Sequence, residues 1–532
     1  MSWQTTIILR EAAGVPAILT GFTIDGKAQS LAQYFPSPNI PPSSTVSTSV
    51  VFRNITVPVT RTFGFTGVDP TGQTWSRQIS VNYFPLPPYN YFGLSATPLT
   101  VTQNRAADPS CQWAVQVNVD DLGGYGVNLM NGLFVGGLNL TSSIPSIFGT
   151  TRLDAWSGLQ GTLCFGNITP PASNTIFVGL NDGASEELTV TFAAPPANPA
   201  TLNVTPASIN LRAADASTVA QSTVTVNLSD STAPWTVSIY PANRTTSWLT
   251  ASQFANAGSG SFTLQTSGAG FAPGVYRATV VVQSQTAVPQ VVNIPVMFVL
   301  GGSTSGTTIT SIANSFAFQT GAQTIASPGM LLSVLGFNLA NTTQIASNAA
   351  GNPVPYSLAG VTATVNGLAA PILYVSPTQV NIQVPYEAGA GPAVLGINNN
   401  GQIAGFRLQI APTSPGILSD GAGNVLPNST ARQGANATIF LTGAGDVPTL
   451  ETAFAPSLST PPASQPRPLQ PISVTVGGVQ AFVRSAGLAP GLIGTVQVNF
   501  IVPPSLPAVA QPVVVTIGGV SSPPANLTVQ AP

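Results

Sequence analysis

The chain has 532 residues, of which 43% are hydrophobic and 6% are charged, and its formal net charge is −2. Ordinary hydrophobicity with a small net charge favours folded domains over disorder. The chain contains no histidine, which excludes the Ser-His and Cys-His pairs of hydrolases and ordinary zinc sites. Its basic residues are scattered singly, which excludes a basic surface for nucleic acid or anionic lipid.

Most segments between turns are predicted to be β-strands, because polar and apolar residues alternate and β-branched residues dominate. The first segment with a different pattern is 31–35, where we expect a helical turn. No segment has the period of an amphipathic helix. The clearest alternating runs, in chain order, are 223–228, 279–282, 473–476 and 513–517.

Proline- and glycine-rich segments divide the chain into units of about 100 residues, the size of one immunoglobulin-like sandwich. These joints are residues 84–88, 194–199, 301–306 and 411–416. We therefore predict an all-β fold of tandem immunoglobulin-like β-sandwiches, with boundaries at 1–88, 89–197, 198–302, 307–412 and 413–532. Because proline-containing linkers are semi-rigid, we expect an elongated multi-domain chain.

The last two predicted units share three sequence blocks in the same order, which indicates a duplication. The pairs are GMLLSVLG at 329–336 with GANATIFLTG at 434–443, VTATVNG at 361–367 with ISVTVGG at 472–478, and VNIQVP at 380–385 with VNFIVP at 498–503. Each unit is predicted to offer a hairpin with glycine at its tip and a later strand that ends at proline.

Cys111 and Cys164 are the only cysteines in the chain. In a β-rich chain with one lysine, such a pair indicates a disulfide and an oxidising compartment. The bond would contribute about 3–4 kcal/mol in the chain-entropy model. The alternative is two unpaired buried thiols.

Three motifs mark the region from about 310 to 532: PGMLLSVLGFNLA at 328–340, VNGLAAPILYVSPTQVN at 365–381 and AGLAPGLIG at 486–494. These motifs resemble the Solibacter-type C-terminal domain of proteins that soil acidobacteria secrete. The resemblance implies tandem IPT/TIG-like immunoglobulin folds and secretion. It implies no catalytic residues, because that family carries no established activity.

Residues from about 200 to 300 contain SWLT at 247–250 and GFAPGVYRATV at 270–280. These parts resemble a bacterial immunoglobulin-like module of the BACON type, for which carbohydrate or mucin binding has been proposed. The two units before it resemble no family that we can name, and we predict them to be further sandwiches.

Nucleophilic chemistry would have to use Lys27, because a serine nucleophile needs a base and the chain has no histidine. Lys27 lies in a turn-like segment, and we predict an exposed hairpin lysine. An isopeptide bond to asparagine would need the same lysine, so at most one unit could contain it.

The carboxylates are spread along the chain and do not predict a glycosidase pair. Asp120 and Asp121 precede Leu-Gly-Gly and are predicted to lie in a turn, and Glu186 and Glu187 begin a strand. Calcium binds carboxylate and carbonyl oxygens, so Asp120 with Asp121, or Asp182 with Glu186 and Glu187, are its candidate ligands. No EF-hand loop accompanies them, and we predict no metal, no cofactor and no catalytic residue.

Tryptophan occurs only in the first three predicted units. Exposed aromatic rings bind sugars by stacking, whereas buried rings supply core area. Both interpretations are open from the sequence. The candidate ligand-binding residues are Trp75, Trp113, Trp156, Trp235 and Trp248.

Two functions follow from these patterns. The first is a non-enzymatic extracellular structural or adhesive protein, either the tail of a larger secreted bacterial protein or a fibre subunit. Its partners would be an extracellular surface, a glycan, a protein or other copies of itself, with no nucleic acid and no membrane insertion. The second is a carbohydrate-binding secreted protein that uses exposed aromatics of the first three units.

The expected location is outside the cell or at its surface. The apolar stretches 291–300 and 513–520 are shorter than the roughly 20 residues of a membrane span. The first residues lack the basic start and apolar core of a signal peptide. We therefore expect an exported chain to be a mature form or a fragment.

Overall fold

The computed structural model describes residues 2–11, 15–35, 37–42, 44–53, 55–56, 59–83, 91–124, 128–241, 244–302, 306–317, 325–346, 354–447 and 452–532. Strands dominate these residues, which confirms the all-β class. Within these ranges the α-helices are Leu31–Tyr34, the predicted helical turn, and Ile144–Phe148. Short 3₁₀ turns lie at Pro109–Cys111, Thr141–Ser143, Arg244–Thr246 and Pro462–Ser464. The joint predicted at 84–88 lies outside the described residues, as do residues 303–305 of the third joint.

The N-terminal compact unit, Met1–Tyr89, contains two sheets. Its core is rich in phenylalanine, and the ring of Phe22 contacts those of Phe35, Phe63 and Phe65. One sheet pairs Ser2–Arg10 with Thr45–Arg53. The other has the order Lys27–Gln29, Ala17–Ile24, Val59–Val68, Thr74–Tyr83, with Asn39–Ile40 also paired to Ala17–Ile24.

The second sandwich, residues 92–193, packs a three-stranded sheet against a larger one around a single apolar cluster. The smaller sheet has the order Gly158–Phe165, Trp113–Asp121, Phe92–Thr97. The larger has the order Leu138–Asn139, Asn128–Val135, Ala172–Leu180, Ser185–Ala193, Thr100–Thr102, with Arg152–Leu153 also paired to Asn128–Val135.

The third sandwich, residues 202–300, likewise encloses one apolar cluster. Its four-stranded sheet has the order Leu202–Thr205, Gln221–Leu228, Gly260–Thr266, Leu249–Ala251. Its five-stranded sheet has the order Ile209–Ala213, Val291–Leu300, Gly274–Gln283, Pro234–Tyr240, Ala255–Ala257.

The fourth sandwich, residues 308–410, follows the same plan around its own cluster. One sheet has the order Thr308–Asn314, Leu331–Phe337, Gln379–Gln383, Ile372–Val375, Gln344–Ile345. The other has the order Ile325–Ala326, Gln402–Ile410, Gly391–Asn399, Val361–Val365, Ser357–Leu358, with Leu368–Ala370 also paired to Val361–Val365.

The fifth sandwich, residues 416–530, is a continuous sheet that encloses its core. The long strand Val479–Leu488 pairs with Ile472–Val476 through its first three residues and with Val496–Ile501 from Phe482 onward, with an irregularity between Val483 and Ser485. The order is Gly416–Ile417, Asn436–Thr442, Val496–Ile501, Val479–Leu488, Ile472–Val476, Ala510–Ile517, Ala525–Gln530, Thr430–Arg432, with Val520–Ser521 also paired to Ala510–Ile517.

The sequence blocks shared by the last two sandwiches occupy equivalent strands. Leu331–Phe337 pairs with Gln379–Gln383, as Asn436–Thr442 pairs with Val496–Ile501. Both hairpin tips have positive φ at two consecutive residues, 51° and 83° at Asn366-Gly367 and 58° and 78° at Gly477-Gly478. Such tips match the twist of the flanking strands and require glycine or asparagine.

Residues Asn90–Pro532 form one compact unit, so its four sandwiches contact one another. The strand Val291–Leu300 takes part in one such contact, because its residues are buried on both faces over the last half of its length. The inward face belongs to the core of the third sandwich, and the outward residues Met297 and Val299 pack with Val394 and Ile403 of the fourth.

Two glycines allow this close approach between sheets. Gly396 and Gly405 are cross-strand partners in the fourth sandwich. A Cβ atom added at Gly405 would lie 2.9 Å from the sulfur of Met297, and one at Gly396 would lie 3.0 Å from a methyl group of Val275. Side chains at either position would therefore separate the third and fourth sandwiches.

Cys111 and Cys164 are joined by a disulfide with an S–S distance of 2.00 Å. The bond connects the 3₁₀ turn Pro109–Cys111 to the strand Gly158–Phe165 of the second sandwich. It closes a loop with a sequence separation of 53 residues.

Replacing both cysteines with alanine should lower the free energy of unfolding of the second sandwich by about 3–4 kcal/mol, because the unfolded loop regains its freedom. Urea unfolding of the double variant and of the oxidised parent measures the change. Reduction of the parent should give a similar loss. A loss below about 1 kcal/mol would contradict a stabilising role for the disulfide.

Candidate functional site at the junction of the sandwiches

Arg152 lies where three sandwiches meet, and its side chain is 6% exposed. It belongs to the short strand Arg152–Leu153 of the second sandwich. Its Nη1 donates to Oε1 of Glu387 from the fourth sandwich at 3.2 Å, and its Nε lies 3.4 Å from Oδ1 of Asp446 from the fifth. Its Nη2 donates to the carbonyl oxygen of Val447 at 2.6 Å. One guanidinium therefore connects three sandwiches.

Other groups fix the two carboxylates. Oδ2 of Asp446 accepts from the hydroxyl of Thr150 at 2.9 Å and from the amide of Thr151 at 3.2 Å. Oε2 of Glu387 accepts from the hydroxyl of Thr452 at 2.9 Å. These bonds supply partners to the buried carboxylate of Asp446 and the half-buried carboxylate of Glu387, which would otherwise be costly to remove from water.

The ring of Tyr386 completes this group, which we call the Arg152 centre: Arg152, Tyr386, Glu387 and Asp446. The guanidinium carbon of Arg152 lies 5.4 Å from the centroid of the Tyr386 ring, a cation–π contact. Tyr386 is fully enclosed and packs with the core of the fifth sandwich, although it is close in sequence to strands of the fourth. Burial raises the pKa of its hydroxyl.

A cavity of about 220 Å³ lies beside the Arg152 centre, and we call it the junction cavity. Its walls come from the second, third and fourth sandwiches. They include Trp156, Thr245, Tyr276, Arg277, Asn366 and Glu387. Glu387 thus contacts both the centre and the cavity.

Trp156 has an unusual backbone conformation, with φ at 57°. The buried carboxylate of Asp121 holds this turn, because its Oδ1 accepts from the amides of Trp156, at 3.1 Å, and Gly124. The indole covers Gly124, where an added Cβ atom would lie 2.1 Å from Cε2 of Trp156. A bulky residue held at positive φ costs on the order of 1–3 kcal/mol and is found most often at functional sites.

Asp154 lies in the same loop as Trp156. Burial raises the pKa of its carboxyl, and the nearby carboxylates of Glu387 and Asp121 raise it further, while a hydrogen bond from the amide of Ala155 lowers it. The protonated form of Asp154 is therefore favoured in the folded protein relative to the unfolded chain.

The structure corrects three of the five tryptophans predicted to bind ligand. Trp113, Trp235 and Trp248 are 2%, 1% and 0% exposed and belong to sandwich cores. Trp235 donates its indole N–H to the carbonyl of Gly258, and Trp248 stacks on a phenylalanine. Trp75 is half-buried against the core of the N-terminal unit. Trp156 is half-buried and lines the junction cavity.

The candidate calcium ligands lie in different surroundings. Asp120 and Asp121 end a strand and are 4% and 0% exposed, so the predicted turn is wrong. Glu186 and Glu187 are exposed neighbours in a strand, where successive side chains point to opposite faces. Among the described residues, no group of three or more His, Cys, Asp or Glu side chains could hold a metal ion.

Lys27 is exposed and begins the strand Lys27–Gln29 after the turn at Asp25-Gly26, as predicted. The sequence did not indicate the Arg152 centre. Its three charged members, Arg152, Glu387 and Asp446, are more than 50 positions apart, and only the tertiary fold brings them together. The one relevant signal in the sequence is the rarity of charge. Charged residues make up 6% of the chain, so each isolated acid or arginine needs a structural reason.

Comparisons with known proteins do not assign this chain to a family. No family model matches the chain, and no curated protein matches it. The Solibacter-type, IPT/TIG-like and BACON-like resemblances therefore stay predictions. In the described ranges, no helix has the length and apolar character that a membrane crossing requires.

Several solved structures align with low similarity. The Bacteroides ovatus mixed-linkage glucan utilization locus protein SGBP-B is 11% identical over 62% of this chain and 71% of its own, with a TM-score of 0.26. Sidekick-1 immunoglobulin domains 1–5 are 10% identical over 99% and 95%, with a TM-score of 0.16. A Bacteroides ovatus GH5 xyloglucanase is 22% identical over 19% of each chain, with a TM-score of 0.15. We carry none of their activities to this chain.

Arg152→Ala should lower the free energy of unfolding of residues 90–532 by about 3–5 kcal/mol, because it leaves the buried carboxylate of Asp446 and the half-buried carboxylate of Glu387 without their cation. Calorimetry and chemical unfolding measure the loss. Arg61→Ala is the control, since Arg61 pairs with Asp25 at 2.6 Å but both side chains are about one-third exposed. The control should lose less than about 1 kcal/mol, and equal losses for the two variants would contradict this interpretation.

Asp154→Asn should stabilise the protein at neutral pH, because a neutral amide replaces a carboxyl whose pKa is raised. The folded state binds this proton more tightly than the unfolded chain, so parent stability should rise as pH falls through the raised pKa. The advantage of Asp154→Asn should therefore vanish towards a pH of about 4, the ordinary range of aspartate.

Asp420→Asn is the matched control for this pH series. The amide and side chain of Asn424 bond the Asp420 carboxylate and lower its pKa, so its contribution should be present at neutral pH and lost on acidification. Melting temperatures between neutral and acidic pH distinguish the two variants. A difference between Asp154→Asn and the parent that does not change with pH would contradict the assignment.

Proposed function

We propose that this chain is a non-enzymatic extracellular structural or adhesive protein whose joined sandwiches present loops and strand edges to another surface. The observation that carries the proposal is the Arg152 centre, which couples three sandwiches through the buried side chains of Arg152 and Asp446 and the half-buried side chain of Glu387. A body held in this way keeps its loops at fixed mutual positions, which suits contact with an extended surface.

The few charges of this chain support a structural role. Each carboxylate oxygen of Glu387 and of Asp446 faces a group from another sandwich. That group is either the Arg152 guanidinium or a threonine donor. A general acid or base needs to reach a substrate proton, and these carboxylates are already engaged.

The boundaries of the units and the module types are proposed from the sequence. We propose five immunoglobulin-like units at 1–88, 89–197, 198–302, 307–412 and 413–532, with a BACON-like third unit and IPT/TIG-like fourth and fifth units. We also propose secretion or display at a bacterial cell surface. The disulfide Cys111–Cys164 supports passage through an oxidising compartment.

A flow-chamber assay tests adhesion directly. Beads coated with the full chain are passed over surfaces coated with the same chain, with bacterial cell-wall polysaccharide or with mucin. We expect retention on at least one surface above that of albumin-coated beads, and weaker retention for beads coated with Arg152→Ala. Retention equal to albumin on all three surfaces would contradict the proposal.

A further inference from the structure

We propose that the junction cavity binds one ring of a neutral sugar, either a free monosaccharide or one residue of a glycan chain. This site does not depend on the adhesive role proposed above. Its volume of about 220 Å³ is smaller than the roughly 300–1,000 Å³ of pockets for drug-sized ligands. The cavity therefore suits a single small ring.

Trp156 supplies the apolar wall. Its φ of 57° and the hydrogen bond from its amide to Asp121 fix the start of the side chain. The indole covers Gly124, and Trp156 lines the cavity. A ring fixed in this way offers the C–H groups of a sugar a preformed stacking surface.

The polar wall offers both donors and acceptors, which sugar hydroxyls need. Oδ1 of Asn366 accepts from the amide of Val394 at 3.0 Å, so the orientation of this side-chain amide is fixed. Asn366 lines the cavity, and the other half of its side-chain amide is an NH₂ donor. Glu387 and Thr245 also line the cavity. The Glu387 oxygens accept from Arg152 and Thr452, and each keeps a further lone pair that can accept from a sugar hydroxyl. The phenol of Tyr276 is held by its bond to the carbonyl of Ala272.

The charged groups at the cavity wall are paired with opposite charges, which favours a neutral ligand over an ion. Arg152 pairs with Glu387, and the carboxylate of Asp120 acts electrostatically on Arg277. Arg277 also donates to the carbonyl of Pro392 at 2.6 Å. Each charged group at the cavity wall thus has an opposite charge nearby, so an anionic or cationic ligand would gain no net partner there.

Isothermal titration calorimetry on the full chain tests the site. The probes are glucose, galactose, mannose and xylose, their β-linked oligosaccharides, and glucuronic acid as the anionic comparison. We expect one-to-one binding of at least one neutral sugar and weaker binding of glucuronic acid. Equal affinity for a monosaccharide and its oligosaccharide indicates a single-ring ligand, and tighter oligosaccharide binding indicates a glycan chain; both outcomes support the site.

Two variants locate the binding. Trp156→Gly removes the indole and suits the positive φ, so it should fold, and it should weaken binding about tenfold. Asn366→Asp keeps the acceptor for Val394 but removes the NH₂ donor, and it should weaken binding by a similar factor. Trp75→Ala is the control in the N-terminal unit and should leave binding unchanged.

Three results would overturn the proposal. They are the absence of heat with every sugar although circular dichroism shows folded protein, unchanged affinity in both cavity variants, or preference for glucuronic acid over all neutral sugars. If either cavity variant unfolds, the other still decides, because they alter different walls of the cavity.

Discussion

The arrangement of residues 90–532 depends on one buried cation, Arg152, whose two carboxylate partners come from different sandwiches. A buried pair of this kind adds little net stability over apolar packing, but the loss of one partner is severe. Its value lies in specificity, because only one relative placement of the three sandwiches satisfies every charge. We infer that this placement, more than the strength of any single interface, is what Arg152 secures.

Further apolar and polar contacts join neighbouring sandwiches away from the Arg152 centre. Leu331, Val354 and Ile493 form a small cluster between the fourth and fifth sandwiches. Gln290 of the third sandwich bonds the backbone of Thr100 and Thr102 of the second. Side chains rather than linkers therefore hold neighbouring sandwiches, and the junction cavity exists because three curved surfaces meet without filling the space between them.

The sequence predicted the class of each unit well, since alternation along a strand reports burial on one face. It also predicted the equivalent hairpin tips, because glycine and asparagine are required where φ is positive. The contacts between sandwiches are not among these predictions. The run Val296–Leu300, in which every residue is apolar, indicates a strand buried on both faces.

The candidate site was less predictable, for a physical reason. Trp156 and the three core tryptophans look alike in sequence, because aromatic residues serve cores and ligands equally well. Only the fold separates the three that fill sandwiches from the one at a cavity. Arg152, Glu387 and Asp446 have no spacing that relates them, since each comes from a different sandwich.

Amide hydrogen exchange tests most directly whether the sandwiches form one body. The amide of Thr151 donates to Asp446, that of Ala390 donates to the carbonyl of Phe148, and that of Leu331 donates to Thr442, each across a boundary between sandwiches. We expect these three amides to be protected like amides inside the sheets. Exchange at the rate of exposed loop amides, with the sheets still protected, would show that the sandwiches move independently and would contradict the role of Arg152.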